Sequence, residues 1–104
     1  MTNTDTTIAE IVTFRLLEGS DPAAFVRAAA ALDPVLQATG QVLSRTLSSD
    51  DDGVWTDHIL WTSLDVAQET AGRLMADPVA APMMQMIDPA HVQMRHARVC
   101  HRQE

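Results

Sequence analysis

The chain has no lysine and no tyrosine and only one cysteine, and these absences limit what the protein can do. Every one of its seven positive charges is an arginine, against fourteen acidic residues, so the formal net charge is −7. Such acidity disfavours binding to phosphate backbones and to anionic membranes, because both are recognised through basic patches. We therefore expect neither nucleic acid nor a membrane as a partner.

The cellular compartment can be predicted in part from the single cysteine. Cys100 has no second cysteine to pair with inside the chain, which suits a reducing cytoplasm. No apolar run approaches the roughly 20 residues of a membrane span. Residues 1–7 are polar and do not resemble a signal peptide. A cytoplasmic protein is the expectation.

Large side chains are also few. Phe14, Phe25, Trp55 and Trp61 are the only aromatic residues, and much of the 46% apolar content is alanine. A chain of 104 residues has the length of one domain, predicted here as residues 1–104 with a polar leader (1–7) and a polar tail (102–104). Its core is expected to consist of small aliphatic side chains with methionine filling gaps, so burial against a second subunit would add stability.

Strands and helices are predicted in the order β-α-β-β-α-β. Runs of β-branched and apolar residues indicate strands at 8–17, 41–48, 54–62 and 91–101. The first helix starts at the cap Asp21 and runs to about Thr39, with a break after Leu32 because Pro34 interrupts its apolar stripe.

The second helix begins at Ser63 or Asp65 and carries an apolar stripe that includes Leu74 and Met75. Asp77 starts a second segment, which residues 88–89, an Asp-Pro pair, are expected to end.

No metal site is predicted. The acidic run Asp50 to Asp52 precedes Gly53 in a hairpin turn, and a calcium loop would need alternating ligands and a later glutamate. Paired histidines on a helix and paired cysteines are also absent from the sequence.

This order of elements is typical of an α+β, ferredoxin-like fold, with a four-stranded antiparallel sheet and both helices on one face. Strands one, three and four carry apolar residues on both faces, so the uncovered face would be a large apolar patch. We therefore predict a homodimer formed through that sheet face.

Five short segments give the chain a family resemblance across residues 8–99. They are Phe14-Arg15-Leu16, Asp52-Gly53-Val54-Trp55, Trp61-Thr62-Ser63-Leu64-Asp65-Val66-Ala67, Ile87-Asp88-Pro89 and Val92-Gln93-Met94-Arg95-His96. In these it resembles the dimeric α/β-barrel superfamily, and within it the small proteins grouped with antibiotic biosynthesis monooxygenases.

The resemblance implies a dimeric barrel of two packed sheets and a pocket between sheet and helices in each subunit. It also implies oxygenation of a small aromatic or quinol-like compound without metal, flavin or other cofactor. A haem-degrading branch of the superfamily takes an axial histidine from its second helical region, and residues 65–90 contain none.

His96 and Asp57 are the candidate catalytic residues. A neutral histidine is well suited to remove a phenolic or enolic proton near neutral pH, and Asp57 could orient it. The alternative is that His96 is a hydrogen-bonded core or interface residue. Asp57 and His58 cannot pair with each other, because neighbours on a strand point to opposite faces.

Trp61, Phe14 and Met83 are the predicted ligand-binding residues, with Trp61 in the position where the resemblance implies a pocket aromatic. Two hypotheses stay open. The resemblance favours a cofactor-independent monooxygenase. The absence of tyrosine, and of any asparagine beyond Asn3, favours a non-catalytic dimer that binds a small ligand or has a structural role.

Overall fold

The computed structural model describes residues 7–104, so the predicted polar leader, apart from Thr7, lies outside the described residues. One antiparallel sheet contains four strands in the spatial order β2-β3-β1-β4. The strands are β1 (Ile8–Leu16), β2 (Val42–Ser49), β3 (Trp55–Trp61) and β4 (Ile87–Arg98). β1 and β3 occupy the centre.

The helices are α1 (Pro22–Ala30), α2 (Asp33–Ala38), α3 (Leu64–Met75) and the short α4 (Ala81–Met84), which follows a 3-10 turn at Pro78–Ala80. Ser63 caps α3 by accepting a hydrogen bond from the N–H of Val66. The predicted α+β ferredoxin-like fold is confirmed.

The predicted break in the first helix is confirmed. Helix α1 ends at Ala30, and α2 begins with Asp33 and Pro34, whose ring fits the first turn of a helix but not its interior. Leu32 takes the cap position with no side-chain cap. Asp33, in the first turn of α2, accepts a hydrogen bond from Arg45 of β2.

The start of the last strand was predicted wrongly. β4 begins at Ile87, so Asp88 and Pro89 open a strand where they were expected to end a helix. Proline is tolerated there because β4 is an edge strand and its missing N–H has no partner to lose. Asp88 accepts a hydrogen bond from the N–H of Ala90, which lowers the pKa of its carboxyl.

The pairing register between the strands shows which residues lie on each face of the sheet. Trp61, Asp57 and Phe14 are buried beneath the helices, and Phe14 packs 5.5 Å from the ring of Phe25 on α1. The opposite face holds the alternating residues of the same strands, among them Ile11, Thr13, His58, Leu60, Arg95 and Ala97. No helix among the described residues covers that face.

An irregularity in β2 decides which of its side chains meet the core. Val42 pairs with Trp61 and Ser44 with Leu60, so one extra residue, Leu43, is accommodated between them. Leu43 is exposed as a result, whereas Arg45 points under the helices. The strand therefore presents a charged residue to the buried face.

Met75 was predicted within the buried stripe of the second helix and is 69% exposed. It occupies the last position of α3, where the helix leaves the sheet and the chain turns into the Pro78–Ala80 segment. Ala67 and Thr70, earlier in α3, are buried.

Candidate functional site

A cavity of about 180 Å³ lies between the covered sheet face and the helices. Its walls are mainly apolar, with Phe14, Ile59 and Trp61 from the sheet and Leu74 and Met83 from the helices. Only three charged residues line it: Glu10, Arg45 and Asp57. Pockets for small molecules have this composition, apolar walls with a few placed polar groups.

Asp57 is held by Arg45 across the β2–β3 pair. Arg45 donates from Nε to Oδ1 of Asp57 at 3.0 Å and from Nη2 to Oδ2 at 2.8 Å, so both carboxylate oxygens are engaged. The two side chains are only 11% and 9% exposed. A bidentate pair of this kind fixes both groups in position.

The remaining donors of Arg45 reach the helices. Nη1 donates to the carbonyl of Ala29 at 2.7 Å and to Asp33 at 3.0 Å, and Nη2 lies 3.9 Å from the sulfur of Met83. Burial alone would lower the pKa of the guanidinium, but Asp57 and Asp33 together raise it. Arg45 therefore stays charged and ties the sheet to the break between α1 and α2.

Glu10 forms the second polar group of the cavity. Its side chain is 8% exposed, and Oε1 accepts a hydrogen bond from Nε2 of His96 at 3.2 Å. Burial raises the pKa of the Glu10 carboxyl above its usual value, the bond and charge of His96 lower it in part, and the nearby carboxylate of Asp57 adds to the rise.

The structure brings three predicted ligand-binding residues together, since Trp61, Phe14 and Met83 all line the cavity. Asp57 lines it too. His96 lies one side chain further away, behind Glu10.

The suggested pairing of Asp57 with His96 does not occur. Strand β1 separates β3 from β4, and each of the two residues is engaged elsewhere, Asp57 by Arg45 and His96 by Glu10. His58 points to the uncovered face, as its alternation with Asp57 requires.

Glu10 and Arg45 were not predicted as site residues. Period-two alternation along β1 puts Glu10 on the same face as Phe14, and that signal was available in the sequence. Arg45 could have been noticed as the one cation between Leu43 and Leu47, but the irregularity in β2 determines where it points.

Two buried polar atoms lack a hydrogen-bond partner within residues 7–104: Nε1 of Trp61 and Oγ1 of Thr70. Trp61 is 1% exposed, so its indole N–H is hidden from solvent as well. Leaving such a donor unpaired costs about 1–3 kcal/mol. The site thus contains an unused donor in one of its own walls.

Two further absences concern the described part of the chain. Within residues 7–104 no cluster of three or more histidine, cysteine or acidic side chains could hold a metal ion. Over the same range, every helix is too short or too polar to cross a bilayer.

Solved structures with the same architecture can be compared with this geometry. SnoaB, a cofactor-independent oxygenase from Streptomyces nogalater, superposes with a TM-score of 0.71 at 14% identity over 93% of this chain and 96% of its own. The chain has the fold of this oxygenase. The predicted resemblance to the antibiotic biosynthesis monooxygenase-like proteins is thereby confirmed at the level of the fold.

Other similar structures extend the comparison. A Caulobacter crescentus protein described as a candidate antibiotic biosynthesis monooxygenase has a TM-score of 0.71 at 16% identity, over 94% of this chain and 93% of its own. The NE2512 protein of Nitrosomonas europaea, of unknown function, has a TM-score of 0.69 at 15% identity, over 97% and 96%. Neither a family model nor a curated protein matches the chain.

At identities this low, structural similarity shows a shared fold but does not show a shared activity. The same architecture includes both named oxygenases and proteins of unknown function. The chemistry of this chain must therefore be argued from its own cavity.

Proposed function

We propose that the chain is a cofactor-independent monooxygenase that acts on a small aromatic or quinol-like compound in the cavity between sheet and helices. The observation that carries this proposal is a buried carboxylate, Glu10, at an apolar cavity and hydrogen-bonded to His96. Similarity of fold to SnoaB supports the reaction class.

Glu10 is the base in this proposal. Because the pKa of its carboxyl is raised, it binds a proton more readily than an exposed glutamate and is better matched to a phenolic hydroxyl. Only Oε1 is bonded to His96, which leaves the other oxygen for a ligand. His96, 21% exposed, orients Glu10 and can pass the proton towards solvent.

The substrate itself reduces oxygen in this scheme. Removal of a phenolic proton makes the ring electron-rich enough to transfer electrons to O2. One oxygen atom joins the ring and the other leaves as water with the two hydrogen atoms that the ring loses. A hydroquinone would thus become a hydroxybenzoquinone, and no external reductant is consumed.

Asp57 has a different role from the one first suggested for it. Both of its oxygens are bound by Arg45, so its carboxylate is committed before any substrate enters. We assign it the positioning of Arg45. Trp61, Phe14 and Met83 form walls against the ring in this proposal.

The second candidate function is a non-catalytic ligand-binding protein, and one observation favours it. With Asp57 and Arg45 satisfied by each other, Glu10 is the one lining carboxylate with an oxygen that makes no hydrogen bond within residues 7–104. An active site normally has several converging polar groups, whereas a binding cavity needs few.

Oxygen uptake decides between the two functions. Purified protein is mixed with a panel of hydroquinones, and oxygen consumption above the uncatalysed rate is followed together with the Glu10→Gln and Glu18→Gln variants. We expect Glu10→Gln to lower the catalysed rate by about 100-fold, as loss of a general base does. Glu18 is exposed, so Glu18→Gln should leave that rate unchanged. Hydroquinone binding without oxygen uptake would establish the binding protein.

We further propose a homodimer through the uncovered sheet face, within the cytoplasm as the lone Cys100 favours. Ile11 and Ala97, both half-buried, give that face an apolar centre beside the already buried Leu60, and His58 and Arg95 flank Ile11. Packing a second copy there would cover the patch without touching the cavity, which lies on the opposite side of the sheet.

A further inference from the structure

The charges around the cavity are unequal in what they can offer a ligand. Arg45 is the only cation among the lining residues, and each of its three nitrogens already has an acceptor: Asp57, Asp33 and the carbonyl of Ala29. Four of its five N–H groups therefore go to oxygen acceptors, and the fifth faces only the sulfur of Met83 at 3.9 Å. An anionic ligand that needed a bidentate contact with Arg45 would have to displace a buried pair, which is costly.

Glu10 faces a mixed set of groups. His96 approaches it from β4, Asp57 acts on it from β3 and Arg45 from β2. Since Asp57 and Arg45 neutralise each other, the lining residues carry one uncompensated carboxylate when Glu10 is ionised. His96 is not a lining residue, and its Nε2 is already hydrogen-bonded to Oε1 of Glu10.

The mouth adds no cation. Met75, Met84, Val92 and Met94 line the cavity and are between 43% and 69% exposed, so a ligand enters past thioethers and a valine. These side chains offer apolar contact and adapt in shape. An anion entering here meets apolar side chains first and the Glu10 carboxylate afterwards.

We infer that the cavity accepts uncharged hydroxylated rings and rejects the same rings when they carry a carboxylate. This specificity rests on the proposed function, since it concerns the same cavity. Size narrows the class further. A cavity of about 150 Å³ holds benzene, so the 180 Å³ available here fits a single substituted ring.

A matched pair of ligands tests the inference without any turnover. Hydroquinone and 2,5-dihydroxybenzoate share ring and hydroxyl groups and differ by one carboxylate. Their dissociation constants are measured by calorimetry under anaerobic conditions at neutral pH. We expect the carboxylated ring to bind at least about tenfold more weakly, because two like charges a few ångströms apart repel strongly in a partly buried site.

Glu10→Gln provides the second measurement. The variant removes the charge and keeps the shape, so the affinity ratio of the two rings should shrink by about tenfold, whereas Glu18→Gln at an exposed turn should leave it unchanged. In the native protein the ratio should also shrink as the pH is lowered and Glu10 gains its proton, which needs no variant.

The outcomes separate the two proposals. Equal or tighter binding of 2,5-dihydroxybenzoate by the native protein overturns the charge selection and leaves oxygen uptake to decide the function. Binding of neither ring also overturns it. A ratio that survives in Glu10→Gln would show that the carboxylate of Glu10 is not what rejects the anion.

Discussion

Glu10 is a buried acid in a protein that already carries a large negative charge. Burial and the charge of Asp57 oppose its ionisation, whereas His96 and Arg45 favour it. Burial and Asp57 outweigh the other two, so the pKa of Glu10 is raised. At the scale of single residues the site is therefore held in a state that costs folding energy at neutral pH. That cost is measurable.

The first prediction concerns stability against pH. The folded protein keeps the proton on Glu10 at a pH where the unfolded chain, with a pKa near 4.5, has lost it. The stabilising contribution is thus complete below that pH and lost as the pH rises through the raised folded-state value. Relative to the native protein, Glu10→Gln should gain free energy of unfolding over this range, as measured by urea denaturation at successive pH values.

Glu18→Gln serves as its control, because Glu18 is exposed and should show no such trend. A difference between Glu10→Gln and the native protein that stays constant with pH would contradict the assignment of Glu10 as the buried acid.

Arg45 supplies the second prediction. Arg45→Met would leave Asp57 buried without a partner, so we expect a loss of about 3–5 kcal/mol in the free energy of unfolding. Adding Asp57→Leu should recover much of this loss, because the uncompensated charge is then removed.

Arg27, exposed on α1, is the matched control for that experiment, and Arg27→Met should change the free energy of unfolding by less than about 0.5 kcal/mol. Urea denaturation measures all three variants. A loss below about 1 kcal/mol for Arg45→Met would show that the bidentate pair adds little to stability.

At the scale of elements, two glycines allow the effect of backbone conformation on stability to be measured without a change in packing. Gly72 lies within α3 and Gly40 follows α2 with φ +68°, and at both positions an added Cβ would meet nothing within 4 Å. Gly72→Ala should raise the free energy of unfolding by about 0.5–1 kcal/mol, because glycine weakens a helix interior.

Gly40→Ala should lower it by about 1–2 kcal/mol, because alanine resists the left-handed conformation. Thermal or urea denaturation of the two variants checks the opposite signs. Equal effects from both substitutions would contradict the assigned helix boundaries.

Elements were the most predictable level of this structure, for reasons visible in particular residues. Pro34 marks the helix break because its ring cannot sit in a helix interior, and alternation in β3 puts Asp57 and Trp61 on one face. The prediction at Pro89 was wrong because a proline is tolerated in a strand that lies at the edge of a sheet. Edge position is a property of the whole sheet and not of the local sequence.

The site was less predictable than the fold. Alternation groups Trp61 with Asp57, and the resemblance implied a pocket aromatic at Trp61, but the partners of the charged residues depend on register between strands distant in the chain. Glu10 meets His96 because β1 pairs with β4, and Arg45 meets Asp57 because of the irregularity in β2. Local sequence patterns contain neither fact.

At the scale of the whole molecule, the prediction concerns assembly. If the uncovered sheet face is a dimer interface, the protein should sediment at twice its mass of 11.4 kDa. Ile11→Asp, at the centre of that face, should shift the equilibrium to the monomer, because a buried unpaired charge opposes association. Analytical ultracentrifugation measures both species.

Val26→Asp is the control for this experiment, since Val26 is 46% exposed on α1, away from the sheet face. Dissociation by Val26→Asp and not by Ile11→Asp would place the interface on the helices. A native protein that remains monomeric at high concentration would argue against the dimer.

The methionines at the cavity mouth have a consequence for evolvability. Met75, Met84 and Met94 lie apart from the ion pairs that hold Arg45, so substitutions among them would reshape the entrance while the charged floor stays intact. Unbranched thioether side chains also tolerate replacement well. New substrates could thus be acquired by drift at the rim, with the fold and its charges inherited unchanged.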